Sequence, residues 1–221
     1  EESQDDWDKK DLPLKPTRTV EFTTERGSWM SVDVHPDGDT VIFDLLGDLY
    51  TVPMTGGVAT QITDGIEWDS MPRYSPDGSE VLLVSDRSGS ENLWVLDLEE
   101  ADEDKRFRQL TKGKRSNFNS HDWVPDGEYV VASQGGPSFG VEKLVLIHAE
   151  QGGSGIALTS EPRSARHLGP AVSADGRWVW FAQRQGAWSY NAILPQYQLA
   201  VYDRETGEVS GRSSRYGSAF R

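Results

Sequence analysis

The chain has 221 residues and a formal net charge of −14, set by 36 Asp and Glu against 22 Lys and Arg, with a pI near 4.7. A field of that sign repels phosphate backbones, so nucleic acid is excluded as a natural partner. The absence of cysteine excludes a disulfide framework, a thiolate metal site and a cysteine nucleophile, and no apolar run approaches the roughly 20 residues of a membrane-spanning helix.

In chain order, residues 1–17 form a polar extension, "EESQDDWDKKDLPLKPT", without the apolar core of a signal peptide. It fits a processed mature end or an arbitrary boundary equally well. Residues 18–25, with "RTVEFTT", have strand composition but no partner in their own unit, and are expected to pair elsewhere as a ring-closing strand. From residue 26 onward a repeat takes over. Asp-Gly pairs stand at 37/38, 77/78, 126/127 and 175/176, and a second anchor runs in step with them: "QIT" at Gln61–Thr63, "QLT" at Gln109–Thr111 and "ALT" at Ala157–Thr159.

Each repeat reads as four short strands rich in Val, Ile, Thr and aromatics. The first supplies Trp29–His35, Thr40–Leu46, Asp48–Met54 and Val58–Thr63. The second supplies "MPRYS", "EVLLVSD", "NLWVLDL" and "RFRQLT", and the third "HDWV", "EYVVAS", "KLVLIHA" and "GIALT". The fourth, "PAVS", "RWVWFAQ", "YQLAVYD" and "EVSGR", is the loosest, because it lacks the closing Leu-Thr. The expected blades are 26–63, 64–111, 112–159 and 160–213, with the start of a further one at 214–221, where "SSRYGSAFR" resembles the approach to a first strand. Pro-Asp-Gly then joins the first two strands of a unit. Proline presets φ, Asp bonds its own backbone and Gly takes the left-handed conformation, which predicts a three-residue hairpin loop. The recurring aspartates are expected to make turns rather than bind metal.

Four-stranded antiparallel units of this length predict an all-β fold, a β-propeller with about four blades present, part of a ring of six or seven. The stretch "MPRYSPDGSEVLLVSDRSGSENLWVLDL" resembles the WD40-like repeat of TolB-type propellers, over roughly residues 26–213. More narrowly, "TRTVEFTTERGSWMSVDVHPDG" and "YNAILPQYQLAVYDRETGEV" resemble the N-terminal propeller of large secreted bacterial amidohydrolases. That resemblance implies a periplasmic or secreted protein and a noncatalytic propeller packed on a metal-dependent hydrolase domain. Its partners would be its own missing blades and that domain. A divalent metal such as zinc would belong to the C-terminal domain, with no cofactor in this chain. Two alternatives stand beside it: a scaffold without an attached enzyme that binds a protein or peptide, and the gating propeller of a serine peptidase of the prolyl oligopeptidase kind.

In such a meander the Pro-Asp-Gly turns lie on one face. The strand-two to strand-three loops and the links between blades lie on the other. That second face gathers Trp29, Trp68, Asp69, Arg73, Phe118, Asn119, His121, Arg166 and His167, with Trp188 and Tyr190 from the long loop of the fourth unit. Aromatic and Arg side chains are what buried contacts favour, so these residues are the expected interface or ligand surface. Trp94, Trp123, Trp178 and Trp180 lie within strands and are expected to fill space between blades. No catalytic residue is expected here: the sequence holds no Gly-x-Ser-x-Gly, no phosphate-binding loop and no His-x-His, and Ser138 in "GGPSFG" reads as a loop residue. His121 and His167 are the two histidines that could meet near the axis.

Overall fold

The computed structural model describes residues 18, 20–103, 105–114, 117–136, 141–160, 165–184, 196–211 and 217–218. Among them there is no helix, and the regular structure is antiparallel strand throughout apart from one parallel bridge. The chain divides into two compact units, residues 1–109 and 110–221.

The first unit contains two four-stranded sheets. β1 (Val32–Val34), β2 (Thr40–Leu45), β3 (Asp48–Pro53) and β4 (Thr60–Gln61) pair in sequence order, as do β5 (Ser70–Tyr74), β6 (Glu80–Ser85), β7 (Asn92–Asp97) and β8 (Phe107–Gln109). The second unit repeats the plan with β9 (Asn117–Trp123), β10 (Tyr129–Gly135), β11 (Glu142–His148) and β12 (Ile156–Ala157). β13 (Arg166–Val172), β14 (Trp178–Arg184), β15 (Gln196–Asp203) and β16 (Val209–Gly211) follow, and β17 (Gly217–Ser218) adds to β15. Of residues 18–25, expected as a ring-closing strand, the described ones carry no strand.

The four Asp-Gly turns share one geometry. Gly38, Gly78, Gly127 and Gly176 all have φ between 72° and 81°, and each donates its N–H to the carbonyl three residues back, at 2.8–2.9 Å. Asp37, Asp77, Asp126 and Asp175 each accept the N–H two residues on. The carboxyls of Asp37, Asp77 and Asp175 are held below the usual range, Asp37 mainly by the Asp39 amide, Asp77 by Ser75 and Asp175 by Ser173. The loop is one residue longer than the motif predicts. His35 N–H bonds Thr40 O, as Ser75 does Glu80, leaving four residues between the closing pair. The aspartate causes the difference: by capturing the amide two positions on, it draws that fourth residue into the loop.

The second anchor has an equally local cause. Thr63 Oγ1 accepts the Leu49 N–H at 2.9 Å and Thr159 Oγ1 accepts the Leu144 N–H at 3.0 Å. A buried hydroxyl thus pins the end of a blade to its third strand, beside an outer strand of only two residues.

Each unit packs one sheet on the next. Ile42 and Leu49 of the first sheet meet Tyr74, Val81, Leu83, Trp94 and Leu96 of the second. In the other unit Val124, Val131 and Leu144 meet Val179, Phe181 and Ala200. Burying an aliphatic side chain of this kind contributes about 1.5–3 kcal/mol. Trp94 and Trp123 are buried as strand tryptophans should be. Trp180 is not. Period-two alternation in β14 sends Val179 and Phe181 into the seam and turns Trp178 and Trp180 to the opposite face, where Arg177 stacks over Trp178.

Candidate functional site at the blade seams

Within each unit, the functional candidates collect where one blade's first strand meets its neighbour. An aspartate four residues ahead of the turn Asp sets the join. Asp33 Oδ2 accepts Tyr74 N–H and Asp122 Oδ2 accepts Val172 N–H, both at 2.8 Å, so a carboxylate of one blade caps a strand amide of the next. Sequence reasoning passed over these two residues, although their spacing from Asp37 and Asp126 is the same in both repeats.

Counted from the Asp-Gly turns and the matched strand pairs, further positions of the sequence correspond: Ser31 with Ser120, Asp44 with Ser133, Gly47 with Glu142, Trp68 with Arg166, Asp69 with His167, and Met71 with Gly169. The two seams use these positions for different chemistry.

In the first unit, the buried carboxylate of Asp44 accepts the N–H groups of Ser31 and Met71, each at 2.8 Å. Asp69, 2% exposed, takes a bidentate contact from Arg87 Nη2 at 2.8 and 3.0 Å. The same guanidinium reaches Glu67 at 4.0 Å and lies 3.5 Å over the Phe107 ring. Arg73 donates to Val32 O at 2.7 Å, across the seam. Trp68 is 59% exposed, its ring seated against Gly47, where a Cβ would come within 3.2 Å of the indole. Trp29 is 87% exposed and holds a positive φ of 63°. Asp48 is pushed up to about 6, chiefly by burial and then by Asp69, Asp64 and Glu67.

In the second unit, the equivalents form a closed polar network. Buried Glu142 receives Asn119 Nδ2 at 2.8 Å, Arg166 Nε at 2.9 Å and Arg166 Nη2 at 2.8 Å, with Ser133 Oγ 3.3 Å away. Ser133 also donates to the His167 carbonyl. Fully buried His167 has Thr159 Oγ1 at 2.7 Å from Nδ1 and Gln183 Nε2 at 3.0 Å from Nε2. This fits a neutral ring that donates from Nδ1 and accepts from the amide. Burial, with Lys143 adding to it, lowers His167 from 6.5 to about 4.

The structure therefore brings Asn119 and Arg166 together through Glu142, with His167 behind them. It places Trp68 and Asp69 side by side at the other seam. Phe118, Asn119, Arg166 and His167 were expected in loops ahead of the strands "HDWV" and "PAVS" but lie within β9 and β13. Register shifts at Ser133/Gln134 and between Leu168 and Ala171, the latter containing Gly169 at φ 62°, let both strands continue past the bulge. His121 is buried in β9, and both ring nitrogens of His167 are committed to Thr159 and Gln183. Among the described residues no group of three or more His, Asp or Glu could hold a metal ion. Trp188, Tyr190 and Ser138 lie outside the described residues. Glu142, Arg87 and Asp44 were missed by sequence reasoning, since their roles depend on cross-strand register.

Comparison with known proteins agrees with this architecture. A tricorn-like protease C-terminal subunit of Sulfurisphaera tokodaii is 24% identical over 153 residues, which is 69% of this chain and 16% of that protein. The Bacillus subtilis peptidase YuxL is 30% identical over 152 residues, 66% of this chain and 20% of its own length. The chain thus spans a fifth or less of these two curated relatives. Among solved structures, a TolB from Agrobacterium tumefaciens superposes with a TM-score of 0.66 at 19% identity, covering 82% of this chain and 63% of that one. A puromycin hydrolase superposes with a TM-score of 0.59 at 16% identity, covering 91% of this chain and 31% of the other. The family model for the TolB beta propeller domain matches residues 14–194, and with four-stranded antiparallel blades in that register the chain belongs to the TolB beta propeller family.

Proposed function

We propose that the chain is the noncatalytic propeller of a longer peptidase, related in plan to the tricorn and prolyl oligopeptidase groups, and that it limits which peptides reach a serine nucleophile carried elsewhere in the polypeptide. The observation that carries this reading is the peptidase naming of both curated relatives reported above, each matched over about two thirds of this chain. Those relatives favour the peptidase alternative over the amidohydrolase implied by the resemblance over residues 17–38 and 190–209. The seam chemistry supports a scaffold role, because the buried polar groups of Glu142 and His167 are used up in internal bonds. On this reading the partner surface is a catalytic domain of the same polypeptide, and the compartment is periplasmic or secreted.

The test uses the full-length protein and a fluorogenic peptide. Hydrolysis that a fluorophosphonate abolishes and a chelator spares is the expected result. Loss on chelation, restored by zinc, would return the protein to the amidohydrolase reading. Absence of hydrolysis with retained peptide binding would make it a stand-alone scaffold.

A further inference from the structure

The second seam carries its own cation, and the first does not carry one at the same place. Arg166 stands against Glu142 in β9–β16; its equivalent in β1–β8 is Trp68, seated on Gly47 with much of its indole exposed. Leu46, 68% exposed and at φ 57°, precedes the glycine on which that ring is seated. Carboxylates adjoin this platform. Asp64 is exposed, Glu67 and Asp69 flank Trp68 in sequence, and Asp48 follows Gly47. Arg87 answers Asp69 and Glu67. The Asp48 carboxylate accepts from the neutral amide of Gln61 at 3.1 Å.

We propose that Trp68 and Leu46, with the carboxylates of Asp48 and Asp64, form a docking surface for a basic polypeptide segment, one Lys or Arg side chain of which lies on the exposed indole of Trp68. Charge complementarity selects this occupant. An aromatic face attracts a cation, and neighbouring carboxylates add to the attraction. Asp48 is raised chiefly by burial, and Asp69, Asp64 and Glu67 add a smaller contribution that a bound cation would offset. A second copy of a chain with net charge −14 is repelled from the same place. Docking of this kind needs no hydrolysis, so it stands or falls separately from the peptidase reading.

The test is calorimetric titration of the full chain with a terminally blocked hexapeptide of alternating Lys and Gly, against a Glu and Gly peptide of the same length. Expected is saturable binding of the Lys peptide that weakens as NaCl is raised, with no binding of the Glu peptide. Trp68→Ala should weaken it at least tenfold. Asp64→Asn, which alters an exposed side chain and leaves the fold intact, should weaken it about threefold. Equal binding of both peptides, or Lys-peptide binding unchanged in Trp68→Ala and Asp64→Asn, would overturn the proposal. So would the absence of binding at millimolar peptide. Self-association abolished by Trp68→Ala would assign the surface to a second copy instead.

Discussion

The two seams are built on one register with opposite chemistry. At the position where the second unit buries Glu142 and closes it with Arg166 and Asn119, the first has a glycine under a tryptophan. Where the second has a neutral histidine, the first has Asp69 clamped by Arg87. A repeat therefore conserves the backbone joint, an aspartate reaching Tyr74 N–H or Val172 N–H, and leaves the side chains around it free to differ. A second seam that is internally satisfied suits a structural role. A first seam with exposed apolar surface and excess carboxylate suits a contact.

The largest losses on substitution are expected at Glu142 and Arg87. Glu142→Ala removes the buried carboxylate that gathers Arg166 and Asn119 and should cost about 2–3 kcal/mol, read by denaturant unfolding, with faster amide exchange at Val172 and little change at Tyr74. Arg87→Ala attacks the other seam, leaving buried Asp69 exposed to its own desolvation and removing the cation over Phe107. A loss of about 3 kcal/mol is expected, with the exchange pattern reversed.

Acid sharpens the contrast next. His167, lowered to about 4, is outcompeted for protons by the unfolded chain, so its seam keeps full stability above pH 6.5 and loses about 3 kcal/mol as the pH falls toward 4. Asp48, raised from 3.8 to about 6, titrates the other way: the folded form takes the proton first, and the first seam gains as the pH drops through 6. Exchange rates at the two seams measured from pH 7 to pH 4 should therefore diverge, and His167→Gln and Asp48→Asn should each flatten one curve. The smallest effect concerns the bulge. Gly169→Ala places a Cβ at φ 62° and should cost about 1 kcal/mol, whereas Met71→Gly, relieving φ 57°, should be stabilising or neutral to within about 0.5 kcal/mol in thermal unfolding.

Much of the fold is legible in the sequence because its signals are local. Pro-Asp-Gly needs only a turn amide, and the closing Thr needs only an amide in its own blade. The seam is harder to read. Glu142 and Arg166 are 24 residues apart and meet only because β11 and β13 share a parallel bridge. Trp68 and Arg166 are both visible as candidates, yet their equivalence is hidden until Ser70 and Leu168 are set against Val84 and Ala182. The inner strands run longer than expected for a related reason: a bulge at a positive φ hides behind residues that read as loop.

The threonine clasps carry a consequence for how the chain folds. Thr63 closes on Leu49 and Thr159 on Leu144 across only 14 and 15 residues, while the seam bonds of Asp33 and Asp122 span 41 and 50. Short closures cost less chain entropy and form sooner than long ones. The first and third blades can therefore each complete themselves as they leave the ribosome, and the carboxylate joint fastens each to its neighbour afterwards.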